Sequence, residues 1–230
     1  MSTPHPGKQA AATAVVNLIS DGMSLGLGTG STTALALKAL GERIRSEGLN
    51  VRGVPTSFAA ERLAREEGIP LLSLDEIDRL DLAMDGADEV DDSFRLIKGR
   101  GAAHTREKIV AAQADRFVVL VDDSKMVDQL GTRMPLPVEV LPMAVTPVQR
   151  VLDGLGADPV LRMGDRKDGP VVTDQGFWVL DAHFDAIPDP EAINRTLNDT
   201  PGVLDHGLFL GLATDVLIGH DDGNVDHRTV

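Results

Sequence analysis

The residues from Lys98 to Lys108 combine a glycine-bearing loop, several ionisable side chains and the start of a helix. Gly99 and Gly101 allow the backbone to turn and to bring its N–H groups close to a ligand. The free N–H groups at the start of the following helix favour negative charge. Good helix formers follow, and they predict a helix from about Ala102 to Ala114. The stretch therefore indicates a site for an anion and for proton transfer.

Glu107 is the candidate base in this helix. It shares a helical face with Ala103, Val110 and Ala111, and this small, apolar face is expected to point toward the body of the protein. A carboxylate on such a face loses hydration and becomes a usable base near neutral pH. The alternative is that Glu107 only forms an ion pair with a nearby cation, namely Arg106, Lys108 or Lys98.

A second glycine-rich turn, at residues 26–33, follows a short apolar run and precedes a strongly helical segment. A strand, a glycine turn and a helix together form a common phosphate-binding arrangement. A dinucleotide-binding turn is disfavoured, because Ser31 stands where its third glycine belongs, and no Gly-Lys-Ser/Thr completes a P-loop. A tight turn with a capping hydroxyl and no ligand stays open.

Asp85 and Asp88 follow the predicted strand at residues 80–84 and lie on either side of a Gly-Ala turn. Ligands of parallel sheets bind beyond the carboxyl ends of the strands, so we expect these two carboxylates to belong to the site. They could orient substrate hydroxyls, move a proton or hold a cation, although the spacing does not fit an EF-hand. The next three acidic residues are interpreted as a solvated turn; they are Glu89, Asp91 and Asp92.

Predicted strands and helices alternate along the first part of the chain, which indicates an α/β fold with a mostly parallel sheet and helices on both faces. Helices are predicted at 8–19, 34–44 and 57–67, and strands at 23–27, 49–54, 69–72, 80–84, 94–97 and 117–121. Lys125 lies just past the last of these strands, where a further cation would help to bind an anion, although a lone lysine is usually a surface residue.

Prolines become frequent from Thr132 onward, and the pattern changes to that of a small antiparallel α+β unit. Helices are predicted there at 148–155 and 190–197, and strands at 159–163, 171–172 and 177–180. Residues 208–218 are expected to return to the main sheet, and residues 221–230 to fray. We therefore predict a larger domain of residues 1–131 and 207–230 and a smaller one of residues 132–206.

Composition narrows the possible functions. The 230 residues include 36 acidic and 22 basic side chains and have a formal net charge of −14, which argues against nucleic acid and anionic membranes as partners. The absence of cysteine excludes disulfides, thiol nucleophiles and thiolate metal sites. Without a long apolar run or a signal-peptide pattern, we expect a soluble, cytoplasmic protein. The acidic surface is ascribed to solubility, with adaptation to high salt as the alternative.

Five motifs in order give the chain a resemblance to the type A ribose-5-phosphate isomerases, running from about Lys8 to Gly219. They read Gly-x-Gly-Thr-Gly-Ser-Thr, Asp-Gly-Ala-Asp-Glu, Lys-Gly-x-Gly-Ala-Ala-x-Thr-Arg-Glu-Lys, Asp-x-Ser-Lys and Met-Pro-Leu-Pro-Val-Glu-Val-Leu-Pro. The resemblance implies a Rossmann-like catalytic domain with a ferredoxin-like second domain. It also implies interconversion of ribose 5-phosphate and ribulose 5-phosphate by a homodimer or homotetramer.

The resemblance also assigns roles to residues of this chain. Glu107 matches the base that moves a proton between C1 and C2, and Lys98 matches the cation beside the developing oxyanion. Asp85 and Asp88 match carboxylates that contact sugar hydroxyls and assist ring opening. The resemblance also implies a set of substrate-binding residues. They are Asp85, Asp88, Lys98, Lys8, Thr29, Gly30, Ser31, Thr32, Gly86, Ala87, Gly99, Arg100, Gly101 and Lys125.

No metal or cofactor is implied by the resemblance, and the histidines show no tight ligand spacing. They are His5, His104, His183, His206, His220 and His227. Two positions depart from the family pattern. Arg100 replaces a usual glycine, so that either the loop is ordinary there or Arg100 adds a cation to the site. His104 replaces a usual apolar residue, and we expect it to be structural, at the surface or half-buried.

Two other functions stay open at this point. One is an isomerase that acts on a different sugar phosphate, such as an amino sugar or a hexose, which a substrate panel would identify. The other is a sensor that binds a sugar phosphate without converting it. The intact set of acid, base and lysine residues argues against the sensor.

Overall fold

The computed structural model describes residues 5–230, which form six α-helices and thirteen β-strands. The helices are α1 Pro6–Val16, α2 Ser31–Glu47, α3 Phe58–Glu66, α4 His104–Ala112, α5 Val145–Gly154 and α6 Pro190–Asn198. The first strands are β1 Ser24–Leu27, β2 Arg52–Pro55, β3 Leu80–Gly86, β4 Glu89–Val90, β5 Leu96–Ile97, β6 Ala114–Asp122 and β7 Leu136–Val140. The others are β8 Asp158–Leu161, β9 Trp178–His183, β10 Val203–His206, β11 Leu208–Phe209, β12 Asp215–Gly219 and β13 Val225–Thr229.

The chain divides into two compact units. Unit 1 contains the described residues through Ala87, together with Arg106–Met126 and Gly211–Val230. Unit 2 contains Asp88–Thr105 and Val127–Leu210. The predicted domains differ from these units mainly in residues 88–105, which pack with unit 2. The predicted bounds stay a prediction, because a packing unit need not be a domain that folds alone.

Unit 1 is built on a six-stranded sheet in the order β13-β12-β6-β3-β1-β2, in which only the β12–β13 pair is antiparallel. Leu25 and Leu27 on β1 belong to an apolar core that also contains α1 and α2. Gly26 points to the opposite face, where an added Cβ would lie 2.6 Å from Val110 of α4. Helices therefore cover both faces, and the predicted mostly parallel α/β sheet is confirmed.

Unit 2 contains a four-stranded antiparallel sheet in the order β10-β7-β9-β8. Along the chain its elements run β7-α5-β8-β9-α6-β10, which is the ferredoxin-like repeat that the family resemblance implied. Alternate residues of β7, namely Leu136, Val138 and Val140, pack in an apolar core with α5 and α6. A separate three-stranded sheet, β11-β5-β4, carries the segment that precedes the glycine loop at residues 99–101.

Several predicted elements were wrong. The strand predicted at 69–72 is a single bridge between Leu71 and Gly53, and the one at 171–172 is a single bridge between Val172 and Trp178. The prediction that residues 208–218 return to the main sheet holds only for β12, because β11 pairs with β5 instead. The helix predicted from Ala102 begins at His104, since Ala102 has a left-handed φ of +57°.

Residues 221–230 were predicted to fray, but they contain β13, an edge strand of the main sheet. Asp215, at the start of β12, holds this edge: it accepts hydrogen bonds from Arg116, Thr214 and His227. Burial raises the pKa of Asp215, but these three donors outweigh burial and lower the pKa from 3.8 to about 2. The polar segment at residues 221–230 is therefore ordered in part by the bond between His227 and Asp215.

Candidate active site

The turn after β1 brings the backbone against a carboxylate of β3. Gly28 N–H donates to the carbonyl oxygen of Met84 at 3.0 Å. A Cβ added at Gly28 would lie 2.4 Å from this oxygen and 2.4 Å from Oδ1 of Asp85. Only glycine fits at position 28, because any larger side chain would collide with the end of the neighbouring strand β3.

Asp85 is a buried carboxylate, 3% exposed. Its Oδ1 accepts hydrogen bonds from the N–H groups of Thr29 at 3.0 Å and Gly86 at 2.8 Å. These two donors come from the carboxyl ends of two neighbouring strands, as the sequence predicted for a ligand-binding edge. The side chain is therefore held in one orientation by the main chain on both sides.

The hydroxyl of Thr29 joins a cluster that sequence reasoning missed. Its Oγ1 lies 2.8 Å from Oγ1 of Thr56 and donates to Oγ of Ser57 at 2.7 Å. Ser57 also caps α3 by accepting the N–H of Ala60. The only sequence signal for the cluster was a pair of hydroxyl residues directly after β2. The cluster therefore ties the turn at residues 28–30 to the carboxyl end of a third strand, β2.

The N-terminus of α2 has the features of a phosphate site. Its N-cap, Gly30, has a φ of +113° and makes no side-chain capping bond, so the first N–H groups of α2 receive no cap from that residue. Ser31 is exposed there, and Nζ of Lys8 donates to its Oγ at 3.3 Å. The structure thus brings together Lys8 and the predicted phosphate loop, which lie 23 residues apart in sequence.

Glu107 stands in the first turn of α4, and its side chain is only 6% exposed. Val110, three residues later on the same helical face, packs against Gly26 of β1. Because α4 leads directly into β6, its first turn lies toward the carboxyl edge of the sheet in unit 1. The predicted burial of Glu107 is confirmed, and the solvent-facing position that would exclude a base is not observed.

Lys98 is a buried lysine of unit 2, 3% exposed. Its Nζ lies 5.5 Å from the centroid of the Phe209 ring, within the range of a cation–π interaction. Its N–H donates to the carbonyl of Gly207 at 2.9 Å, which fixes the backbone where the glycine loop begins. A long cationic side chain is thus held in place within the protein instead of extending into solvent.

The glycine loop after Lys98 is tied down through its main chain. Arg100 N–H donates to Oδ2 of Asp88 at 3.0 Å. Arg162, which sequence reasoning did not single out, donates through Nη1 to the carbonyls of Gly99 and Arg100, both at 3.0 Å. Arg100 is not among the described residues with positive φ, so the backbone takes an ordinary conformation at this position, and the added cation stays a prediction. Its side chain is exposed.

Lys125 lies in a short 3₁₀ turn, Asp123–Lys125, directly after β6 and is half-buried. Since β6 neighbours β3, the turn follows the carboxyl end of the strand beside the one that carries Asp85.

The solvated-turn interpretation was wrong for Glu89, which is buried and accepts the N–H groups of Gly131, Arg133 and Met134. It was also wrong for Asp91, which is buried and bonded to Arg95, whereas Asp92 is exposed.

His104 lies fully buried in unit 2, not at the surface or half-buried as expected. Its Nε2 is 4.0 Å from Oε2 of Glu139, a buried carboxylate that sequence reasoning passed over.

Within residues 5–230 no group of three or more His, Cys, Asp or Glu side chains is placed to hold a metal ion. None of the helices in the same range has the length and apolar character needed to cross a membrane.

Comparisons with known proteins fit this geometry. Residues 52–223 match the family model for ribose 5-phosphate isomerase A (phosphoriboisomerase A). Ribose-5-phosphate isomerase A of Thermosynechococcus vestitus is 56% identical over 213 residues, covering 92% of this chain and 90% of the relative. The same enzyme of Trichodesmium erythraeum is 52% identical over 225 residues, covering 97% and 95%.

Solved structures agree over nearly the whole chain. Ribose 5-phosphate isomerase A of Methanocaldococcus jannaschii superimposes with a TM-score of 0.94 at 45% identity, covering 99% of this chain and 100% of the other. A D-ribose-5-phosphate isomerase in complex with phospho-erythronic acid gives a TM-score of 0.95 at 44% identity, with both chains fully covered. With these matches in sequence and in structure, the chain belongs to the ribose 5-phosphate isomerase A family.

Proposed function

We propose that this protein interconverts D-ribose 5-phosphate and D-ribulose 5-phosphate through an enediolate, with Glu107 as the group that moves the proton. The reaction would serve the non-oxidative branch of the pentose phosphate pathway. The observation that carries the proposal is the burial of Glu107 in the first turn of α4, toward the carboxyl edge of the sheet. A carboxylate shielded from water in this way is suited to removing a proton from carbon.

In the proposed reaction, Glu107 acts as the base and Lys98 as the cation that stabilises the oxyanion. In the open-chain aldose, the Glu107 carboxylate takes the proton from C2, the C–H electron pair forms the C1–C2 double bond, and the carbonyl electrons move onto O1. The ammonium group of Lys98 stabilises the resulting oxyanion. A proton then passes from O2 to O1, Glu107 returns its proton to C1, and O2 becomes the ketone oxygen. Glu107 ends as it began, ready for the reverse reaction.

Asp85 and Asp88 are proposed to contact the sugar hydroxyls and to assist opening of the furanose ring. Thr29 and Gly86 each donate a backbone N–H to Asp85, and the Arg100 N–H does the same for Asp88. Each carboxylate therefore has a fixed orientation before substrate arrives, which lowers the entropic cost of aligning it with a hydroxyl.

The phosphate is proposed to bind at the start of α2, where helix N–H groups, hydroxyls and Lys8 are close together. The proposed substrate-binding residues are Thr29, Gly30, Ser31, Thr32, Asp85, Gly86, Ala87, Asp88, Lys98, Gly99, Arg100, Gly101, Lys125 and Lys8. In a chain of net charge −14, local cations of this kind are needed to attract a doubly charged phosphate ester.

The mechanism requires neither a metal nor a cofactor, so treatment of the purified enzyme with EDTA should leave kcat unchanged. A cytoplasmic location and a homodimer or homotetramer stay predictions. Cell fractionation tests the location, and the molar mass measured by light scattering during size-exclusion chromatography tests the oligomeric state.

Two assays test the function. The first offers purified protein a panel of aldose phosphates, including hexose and amino-sugar phosphates, and we expect ribose 5-phosphate to give the highest kcat/KM. The second compares wild type with Glu107→Gln, for which loss of the base should lower kcat by about 10²- to 10⁴-fold. Wild-type turnover by Glu107→Gln would refute the assignment of the base. Binding of ribose 5-phosphate in calorimetry without conversion would instead indicate a sensor.

A further inference from the structure

One of the two inner strands of the antiparallel sheet in unit 2, β7, carries a fully buried carboxylate, Glu139, which is 0% exposed. Its neighbours Val138 and Val140 pack in the apolar core with α5 and α6, so Glu139 points to the opposite face of the sheet. A charged side chain in such a place is destabilising unless it is well bonded. Its presence therefore calls for a reason beyond the packing of the sheet.

Two hydroxyl groups hold this carboxylate from different parts of unit 2. Thr105 Oγ1, in the first turn of α4, donates to Oε2, and Thr173 Oγ1 donates to Oε1. Burial raises the pKa of Glu139 and the two hydroxyl bonds lower it in part, while the nearby charges of Asp205 and Asp174 raise it further. Glu139 thus links β7 to the turn before β9 and to the start of α4.

The same cluster contacts the glycine loop. His104, fully buried beside Thr105, has Nε2 4.0 Å from Oε2 of Glu139. A Cβ added at Gly99 would lie 2.7 Å from Nδ1 of His104, so the imidazole ring packs directly against the loop. His104 therefore fills the space between Glu139 and the loop that begins at Lys98.

From these contacts we infer that Glu139 is a positioning residue for the isomerase reaction, acting through Thr105 on the first turn of α4, where Glu107 stands two residues later. The inference rests on the proposed role of Glu107 as the base. Thr105 cannot rotate away from the carboxylate without losing its bond, and a shift of the helix start moves Glu107 with it. Displacement of a catalytic group by about 1 Å can lower the rate roughly a hundredfold.

The chain offers a matched pair of variants for the test. Thr105→Val and Thr173→Val each remove one hydroxyl from the same carboxylate at nearly constant volume. Thr173 also accepts the N–H groups of Gln175 and Phe177, so Thr173→Val removes at least as many hydrogen bonds as Thr105→Val. It is therefore a stringent control for stability. Glu139→Leu is avoided, because it would leave both threonines without their acceptor and could prevent folding.

We expect Thr105→Val to lower kcat on the order of ten- to a hundredfold with little change in KM. The isotope effect on kcat for ribose 5-phosphate deuterated at C2 should rise, because proton abstraction becomes slower relative to the other steps. Thr105→Ser, which keeps the hydroxyl, should restore most of the rate. Thr173→Val should keep kcat near the wild-type value although its melting temperature falls at least as far.

Two outcomes overturn the inference. If both valine variants melt at lower temperature and keep wild-type kcat, Glu139 is structural only. If both lower kcat equally, the effect does not pass through Thr105. Failure of the proposed function is distinguishable from either, because it would appear as wild-type turnover in Glu107→Gln, whatever the threonine variants do.

Discussion

Replacing Gly28 with alanine tests whether the turn after β1 and the Asp85 carboxylate are as close as the structure places them. The new Cβ would lie 2.4 Å from Oδ1 of Asp85 and 2.4 Å from the carbonyl oxygen of Met84. The Met84 oxygen is main chain and already accepts the N–H of residue 28. To relieve both contacts, the ends of the two strands must separate and Asp85 must leave its bond with the N–H of Thr29.

The magnitude follows from these two contacts. Overpacking of this kind lowers the free energy of unfolding by about 1 to 3 kcal/mol. Loss of a hydrogen bond to a charged carboxylate adds about 1.5 to 3 kcal/mol. We therefore expect Gly28→Ala to lower the free energy of unfolding by about 2.5 to 6 kcal/mol in total. Because Asp85 is displaced, kcat should fall as well, on the order of a hundredfold.

Urea unfolding and steady-state kinetics measure the two effects. Gly154→Ala is the control: Gly154 ends α5, its φ is not positive, and no atom lies within 4 Å of an added Cβ. We expect that variant to be as stable as wild type or more stable by up to about 1 kcal/mol, since alanine favours a helix. Wild-type stability and kcat in Gly28→Ala would show that the turn is not packed against Asp85 and would refute the proposed geometry.

Three further variants test separate contacts. Asp215→Asn should lower the free energy of unfolding by about 2 kcal/mol at pH 7, because the folded pKa of about 2 lies below the usual 3.8. The difference from wild type should shrink as pH falls from about 4 to 2 in urea unfolding, and a constant difference would contradict it. Lys8→Ala removes the cation beside Ser31 and should raise KM roughly tenfold with kcat retained; an unchanged KM would exclude Lys8 from phosphate binding. Arg100→Ala keeps the backbone and removes a cation, so a higher KM supports a substrate role, and unchanged constants remove it.

The inner strands of the central sheet could be predicted because they are short apolar runs buried on both faces. The rule that ligands bind beyond the carboxyl ends of parallel strands predicted that Asp85 belongs to the site, and the structure places Asp85 against the turn at residues 28–30. Predictions failed where the deciding partner is distant in sequence. Residues 221–230 look polar and frayed, yet His227 bonds to Asp215, which in turn binds Arg116, 99 residues earlier.

The parts of the site that sequence reasoning missed have the same origin. Thr56 and Ser57 reach Thr29 from another strand, and Arg162 reaches the glycine loop from 62 or more residues away. The start of α4 was misplaced for a local reason that composition does not reveal. Alanine is the best helix former, but Ala102 adopts a left-handed conformation because the loop that precedes the helix requires it.

Two buried acidic residues show how so acidic a chain can keep some of its carboxylates away from the surface. Sequence reasoning treated Glu89 as solvated and passed over Glu139, because acidic side chains are usually exposed. In the structure three backbone N–H groups hold Glu89, and two hydroxyls hold Glu139. Backbone N–H groups and hydroxyls can therefore meet much of the hydrogen-bonding need of a buried carboxylate. Carboxylates held in this way need not occupy the lysines of the proposed site, such as Lys8, so we expect a lysine added beside Glu89 to leave kcat/KM unchanged.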